Sequence, residues 1–213
     1  MDCYNANEEK EKKLREVLDK RGAFSKTMWS LDNPIPKRFI KKTLDNYQAT
    51  KKEQQTILRI CRRFSDNFDE AKENGTSLVF CGRPGTGKTH LAYAIIERLR
   101  DKYVTAIIKT ASDMTSQVKD AYKSDDTTTQ QVVKEFSFFD LLIIDEVGIQ
   151  TSSEAEKRIF FDIINKRYEN MLPTILISNL ELQELTAFVG ERVMDRMKEN
   201  GGVIFAFDWD SHR

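Results

Sequence analysis

The feature that most constrains this chain is a glycine-rich segment between an apolar stretch and a helical pattern. The segment runs from Gly82 to Thr89, reads GRPGTGKT and fits the pattern GxxxxGK[ST]. The apolar run SLVFC before it predicts a buried strand, and residues 87–100 after it predict a helix. In that context the glycines let backbone N–H groups surround a phosphate at the positive end of the helix dipole. The segment therefore predicts a nucleotide site, with Lys88 reaching the β- and γ-phosphates and Thr89 binding Mg²⁺.

Strand-like and helical stretches alternate through the rest of the chain, which has 213 residues. Strands are predicted at 77–81, 104–108, 141–144, 174–177 and 203–207, and helices at 87–100, 111–123, 128–136, 153–169, 181–188 and 189–199. Before the loop, residues 49–71 predict one long helix that stops at Gly75. This alternation is typical of an α/β domain with a mainly parallel sheet of about five strands flanked by helices. We assign that domain to residues 37–213.

Residues 1–36 are predicted to form a short separate segment. A charged helix with a narrow apolar stripe is expected at 6–21, followed by a linker at 22–36 whose apolar residues around Trp29 favour docking on the domain or on a partner. The chain begins without an apolar leader and has no run of roughly 18 apolar residues, so we expect a cytoplasmic protein with no membrane partner. The three cysteines are far apart and show no zinc or disulfide spacing.

The net charge of zero hides an uneven distribution. Residues 1–72 carry 17 basic and 12 acidic side chains, whereas residues 73–213 carry 17 and 22. Between residues 37 and 63 there are nine basic side chains and two acidic ones. Such a basic stretch indicates either contact with nucleic acid or an acidic partner, or simply a solvated helix face.

A second acidic feature supports the nucleotide site. The apolar run LLII is followed directly by Asp145 and Glu146, as expected for a central strand that ends at the ligand-binding edge of a parallel sheet. Asp145 is placed to hold Mg²⁺ through water, and Glu146 to polarise an attacking water as general base. Together with the loop, the pair favours ATP hydrolysis over phosphate transfer to a small molecule.

Two further polar features have more than one interpretation. Asn179 follows the strand at 174–177, and it is expected either to contact the γ-phosphate and the attacking water or to cap the next helix. Arg192 and Arg196 are predicted to share a helix face. They are expected either to contact the nucleotide of a neighbouring molecule or to form surface ion pairs, Arg192 with Asp195 or Arg196 with Glu199.

Taken together, these motifs resemble those of the AAA+ ATPases, and within them the bacterial and phage-borne helicase loaders of the DnaC type. The similarity runs from about Arg38 to the end of the chain. It comprises GRPGTGKTHLA at 82–92, LLIIDEVGIQT at 141–151, ISN at 177–179, GERVMDRM at 190–197 and FDWDS at 207–211.

The resemblance implies specific roles. It implies Lys88 and Thr89 as Walker A residues, Asp145 and Glu146 as Walker B residues, Asn179 as sensor 1, and Arg192, with Arg196 beside it, as an arginine finger acting in trans. Nucleotide contacts are implied for the loop and the residues after it: Gly82, Pro84, Gly85, Thr86, Gly87, Lys88, Thr89 and His90.

The resemblance also implies partners: a hexameric replicative helicase, single-stranded DNA and other copies of the chain in an ATP-dependent oligomer. In the region of the two helices before the Walker B strand, the candidate DNA contacts are Lys119, Tyr122 and Lys123. The alternative is that these side chains are ordinary exposed residues of a helix.

The chain departs from the family in its N-terminal part. Loaders of this type carry a longer N-terminal region that grips the helicase, whereas here about 36 residues precede the domain. The helix at 6–21 and the patch around Trp29 are then the expected helicase-binding residues. A C-terminal helical lid is expected to be absent, as in the family. Arg213 is expected either to reach the nucleotide or to lie in a frayed terminus.

Three alternatives stay open at this stage. The first is a helper ATPase of DNA transposition of the IstB type, which shares the loop, the acidic pair and the strand-end asparagine. The second is a binding module in which ATP is a structural ligand, against which Glu146 argues. The third is a small-molecule kinase, for which the sequence shows no acceptor-binding lid.

Overall fold

The computed structural model describes residues 36–100, 104–121, 128–149 and 154–211, together with Lys12 and Lys102. Its strands are β1 Leu78–Gly82, β2 Ala106–Thr110, β3 Leu141–Asp145, β4 Thr174–Ile177 and β5 Val203–Phe207. Its helices are α1 Lys52–Asp66, α2 Phe68–Asn74, α3 Lys88–Arg100, α4 Ala111–Ala121, α5 Thr129–Phe136, α6 Glu154–Glu169, α7 Leu182–Val189 and α8 Glu191–Lys198.

The five strands form one parallel sheet in the order β2-β3-β4-β1-β5. β1 lies between β4 and β5, with Leu78 opposite Ile175 on one side and Val203 on the other. Because every strand runs the same way, the ends of β1, β3 and β4 meet at one edge of the sheet. This confirms the α/β prediction and brings the glycine-rich loop, the acidic pair and the strand-end asparagine to that edge.

Both faces of the sheet are covered by helices. On one face, α1, α2 and α3 pack over side chains such as Phe80 and Ile143. On the other, α4 to α8 pack over side chains such as Val79 and Ile144. The residues of the three central strands β1, β3 and β4 are buried on both faces, so their apolar runs in the sequence are continuous rather than alternating.

The predicted single helix at 49–71 is wrong, because the chain forms two helices there. Asn67 leaves the helical conformation (φ −109°, ψ 41°) while its N–H still donates to the carbonyl of Arg63. Phe64 and Phe68, on the two sides of the break, meet edge to face with their ring centroids 5.6 Å apart. The predicted stop at Gly75 is confirmed, since this residue ends α2 in the left-handed conformation that glycine favours.

The second strand begins two residues later than predicted. The side chain of Asp140 accepts hydrogen bonds from both the N–H and the hydroxyl of Thr105, at 2.9 and 2.8 Å. Thr105 is therefore bound to a carboxylate, and β2 begins at Ala106.

A buried arginine lies at the opposite edge of the sheet from the loop. Arg167 of α6 is fully buried and donates to the carbonyls of Phe136, Phe139 and Pro173 and to the hydroxyl of Thr174. Burial lowers the pKa of Arg167 to about 9. The guanidinium ties the end of α5 and the starts of β3 and β4 together, so it fixes the two strands that lead to the acidic pair and to Asn179.

Some sequence predictions fall outside the described residues. They are the helix at 6–21, the linker at 22–36 up to residue 35, and Arg213. Within the described part of the chain, β5 is followed by residues 208–211, and no helix follows it. No helix among the described residues is both long enough and apolar enough to cross a bilayer.

Candidate nucleotide site

The loop between β1 and α3 has the backbone expected of a phosphate cradle. Gly82, Gly85 and Gly87 have φ values of 110°, 78° and 100°, which L-residues rarely adopt. A Cβ on Gly87 would lie 2.6 Å from the Tyr47 ring, and one on Gly82 would lie 2.6 Å from the carbonyl oxygen of Phe207. Both the conformation and the space therefore require glycine, and the loop lies at the N-terminus of α3, where an anion is favoured.

Lys88, the first residue of α3, turns back under this loop. Its Nζ donates to the carbonyls of Gly82 and Arg83, both at 2.7 Å. The side chain is buried, and burial lowers the pKa of Lys88 to about 8, while Asp145 and Cys81 act in the opposite direction. A cation held in a desolvated cradle is placed to bind an anionic phosphate strongly.

The two predicted metal ligands lie side by side. The hydroxyl of Thr89 in α3 donates to Oδ2 of Asp145 at the end of β3, at 3.0 Å. Burial raises the pKa of Asp145, and hydrogen bonds from the N–H of Glu146 and from Thr89 oppose this shift. One hydroxyl and one carboxylate are the hard oxygen donors that Mg²⁺ prefers, so the pair fits that ion.

Glu146 extends from the end of β3 in a constrained backbone. Its φ is 59°, a left-handed conformation, and its N–H donates to Oδ1 of Asp145 at 2.7 Å. The next residue, Val147, donates its N–H to the carbonyl of Ile177 in β4. The side chain of Glu146 is exposed at the loop edge of the sheet, as a general base for water requires.

A buried serine that the sequence analysis did not single out joins the strand ends. Ser178 is fully buried, and its N–H donates to the carbonyl of Phe80 at 2.8 Å. Its hydroxyl donates to the carbonyl of Val147 at 2.6 Å and accepts from the N–H of Leu180 at 3.1 Å. Ser178 thus fixes the residues after β3 and β4 relative to β1. A small hydroxyl residue directly after an apolar strand was the available signal.

Asn179 follows this serine and is exposed at the same edge. The residue that caps α7 is Glu181, whose N–H donates to the Glu184 carboxylate at 3.2 Å. The capping alternative for Asn179 therefore does not hold, and its side chain lies at the edge that also carries Asp145 and Glu146.

The carbonyl of Thr86 in the middle of the loop is held from two sides. It accepts a hydrogen bond from the hydroxyl of Tyr47 and another from the indole N–H of Trp209, both at 3.2 Å. Tyr47 precedes α1 and Trp209 follows β5, and both are buried. The loop is therefore braced by chain segments from before and after the central fold. The sequence analysis included Trp209 only as part of the WDS ending and did not single out Tyr47.

His90 was predicted to contact the nucleotide, and the structure gives its ring a defined partner. Its Nε2 lies 3.0 Å from the carbonyl of Thr43 and 3.1 Å from Oδ1 of Asn46. Burial lowers the pKa of His90. The ring also meets Tyr47 edge to face, so His90 connects α3 to the segment that braces the loop.

Comparison with known proteins agrees with this geometry. The family described as "IstB-like ATP binding protein" matches residues 12–198. The chain is 37% identical over 171 residues to "Replicative helicase loader DnaC" of Escherichia coli strain K12, an alignment that covers 80% of this chain and 69% of that protein. The chain belongs to the DnaC-type helicase loader family. It is also 32% identical over 207 residues to DnaC of Buchnera aphidicola from Acyrthosiphon pisum, which covers 97% of this chain and 78% of that one.

The fold of this DnaC-family chain agrees as well. A crystal structure of the DnaC helicase loader superimposes with a TM-score of 0.70 at 26% identity, covering 80% of this chain and 99% of that one. The family description names IstB-like proteins, but the two relatives described above are named helicase loaders. The transposition-helper alternative therefore gains no better support.

The two family-motif arginines of α8 have different surroundings. Arg192 is exposed. Arg196 is half-buried, with its guanidinium carbon 5.0 Å from the ring centre of Phe161 and 5.3 Å from that of Tyr168. One of its nitrogens is buried without a hydrogen-bond partner among the described residues. The described residues show neither of the ion pairs expected with Asp195 and Glu199, and Glu199 instead accepts from Tyr168 at 2.5 Å.

The predicted DNA contacts are only partly described. Lys119 is exposed on α4, on the sheet face opposite α1. Tyr122 and Lys123 lie outside the described residues. Pro84 is exposed on the outer side of the loop.

Proposed function

We propose that this chain is an ATPase that delivers a replicative helicase onto single-stranded DNA. The observation that carries the ATPase part is the meeting of Thr89 and Asp145 at 3.0 Å beneath a glycine loop that contains the buried Lys88. The helicase part is supported by family membership, since the relatives at 37% and 32% identity are named replicative helicase loaders.

In this proposal each residue of the site has one task. The loop N–H groups and Lys88 bind the phosphates, and Asn179 orients the γ-phosphate and the water. Glu146 accepts the proton of that water as it attacks. Thr89 and Asp145 would hold Mg²⁺, which neutralises charge on the β- and γ-phosphates when bound.

The arginine is supplied by a second copy of the chain. Arg192 is exposed and free to reach outward, whereas Arg196 is held by two rings with one nitrogen unpartnered among the described residues. An arginine offered in trans stabilises the charge of the transition state and makes turnover depend on oligomer formation. Arg192→Ala and Arg196→Ala test the two positions separately.

A mixing experiment shows whether the arginine acts in trans. Glu146→Gln should keep ATP binding and lose turnover. Adding it to Arg192→Ala should restore part of the activity, because a Glu146→Gln neighbour still supplies an intact arginine. The same mixture with Arg196→Ala identifies which arginine acts. The arginine proposal fails if each arginine variant alone hydrolyses ATP at the wild-type rate, or if the variants are inactive and neither mixture recovers activity.

The helicase-loading proposal has its own assay. Residues 1–36 act as the partner-binding segment and residues 37–213 as the ATPase unit. The chain should stimulate the cognate helicase to unwind a duplex flanked by single-stranded DNA coated with binding protein, and Lys88→Ala should not. If instead the chain leaves helicase activity unchanged and stimulates a transposase on duplex DNA, the transposition-helper alternative takes its place.

A further inference from the structure

The basic stretch noted in the sequence, residues 37–63, presents most of its charged side chains to solvent. Its cations lie in the turn at 37–42, at Lys51 and in α1, and we refer to residues 37–63 together as the basic strip. Seven of its nine cations are exposed, and two are half-buried. The exposed ones are Lys37, Arg38, Lys41, Lys51, Lys52, Arg59 and Arg63, and the half-buried ones are Lys42 and Arg62.

The charge of the strip is largely uncompensated. Its two acidic residues are Asp45 and Glu53, and Asp45 is already paired with Arg62 at 2.7 Å. Within the described residues, none of the seven exposed cations has a carboxylate within ion-pair distance. By contrast, Lys166 on the opposite sheet face has Glu169 at 3.5 Å. A solvated helix face commonly carries such pairs, whereas among the nine cations of the strip Arg62 alone has one within the described residues.

The strip is also held rigidly on the domain. Arg62 donates to the carbonyl of Leu44 at 3.0 Å, which ties the segment before α1 to the helix. Phe39 stacks on Tyr93 of α3, with ring centroids 4.3 Å apart and an interplanar angle of 15°. A chain segment that is already packed on the domain loses less conformational freedom on binding than a mobile segment.

The chemistry of the strip favours a nucleic-acid backbone. Arg59 and Arg63 are four residues apart on α1, so their guanidinium groups emerge from the same face. Arginine binds phosphate through a planar fork of donors. The one aromatic ring of α1, that of Phe64, is buried in the core, so stacking on bases is not available there. Protein interfaces rely on apolar and aromatic anchors, and Ile40 is the large exposed apolar side chain among the described residues of the strip.

We propose that the basic strip binds the phosphate backbone of a DNA strand without sequence preference. This contact lies on the sheet face covered by α1 and α3, whereas Lys119 lies on the face covered by α4. This contact goes beyond the proposed function, because delivery of a helicase onto DNA does not by itself determine which face of the domain binds the DNA. An acidic protein surface is the competing occupant.

The test removes two cations from the strip. Arg59→Ala with Arg63→Ala changes two exposed side chains, so we expect the thermal midpoint to stay near that of the wild type. Arg158→Ala with Lys166→Ala on α6 is the matched control, since it makes the same change in net charge on the opposite face. Binding of a fluorescein-labelled 30-nucleotide oligo(dT) is followed by anisotropy between 50 and 200 mM salt. If the alanine pair lowers the midpoint, Arg59→Gln with Arg63→Gln is used instead.

The strip variant should bind oligo(dT) at least about five-fold more weakly, and the control should stay within about two-fold of the wild type. Two lost phosphate contacts should lower the slope of log Kd against log salt by about 1.4. An unchanged affinity and slope would overturn the proposal, as would absence of DNA binding by the wild type. Unchanged DNA binding with loss of the helicase complex would also overturn it and assign the strip to an acidic protein. Retention of the helicase complex in every variant would leave the proposed function standing.

Discussion

The bracing of Thr86 leads to a quantitative prediction, because two donors share one buried carbonyl. Tyr47→Phe removes a hydroxyl and keeps the ring, and Trp209→Phe removes the indole N–H. After either single change the carbonyl keeps one hydrogen bond, so we expect each lost bond to cost about 0.5–1 kcal/mol of unfolding free energy. The smaller ring at position 209 adds a packing cost that is common to both arms of a double-mutant cycle and cancels there.

The double variant leaves the carbonyl of Thr86 buried without a donor from the described residues. An unsatisfied buried carbonyl costs about 1–3 kcal/mol, so the double change should exceed the sum of the singles by about 1 kcal/mol or more. Because Thr86 lies in the phosphate loop, ATP affinity should fall about three-fold in each single variant and at least ten-fold in the double.

Urea unfolding and titration with a fluorescent ATP analogue measure the two effects. Tyr168→Phe is the control, since it removes a tyrosine hydroxyl from an exposed hydrogen bond on α6, remote from the loop. The reasoning is refuted if the two changes add within about 0.5 kcal/mol and the nucleotide affinity of the double variant equals that of the wild type.

Three more predictions follow from single positions. Arg167→Met should lower the free energy of unfolding by about 3–5 kcal/mol, as measured in urea, because it leaves several buried carbonyls without a donor. Gly87→Ala should abolish ATP binding in a filter assay, since it adds a clash with Tyr47 to backbone strain. Gly190 has a similar positive φ but open space around it, so Gly190→Ala should keep ATP binding. Burial raises the pKa of the Cys61 thiol to about 12, so it should resist iodoacetamide at pH 8 until urea unfolds the chain.

The sequence predicted the sheet and the phosphate loop because their signals are local. A strand, a glycine loop and a helix follow one another within 23 residues from Leu78 to Arg100, and β4 and β5 were predicted with their observed bounds. The approach of Thr89 and Asp145 was also predictable, since parallel strands end at one edge.

The remaining features depend on contacts between distant residues. Tyr47 and Trp209 meet at Thr86 from positions 39 and 123 residues away. The helix break at Asn67 contains no glycine or proline that would predict it from the sequence. The start of β2 at Ala106 depends on hydrogen bonds to the distant Asp140. Arg167 looked like an ordinary cation at the end of an amphipathic helix, and only the packing of α5, β3 and β4 around it shows that it is buried.

The central claim is that this chain binds a replicative helicase under the control of ATP. Native mass spectrometry of the chain mixed with the helicase of its own host, with ATP or with ADP, measures this directly. The account predicts a discrete complex of a helicase hexamer with several copies of the chain, whose abundance differs between the two nucleotides and is lost with Lys88→Ala. A helicase hexamer that stays free of the chain with either nucleotide, while the chain still binds ATP, would contradict it.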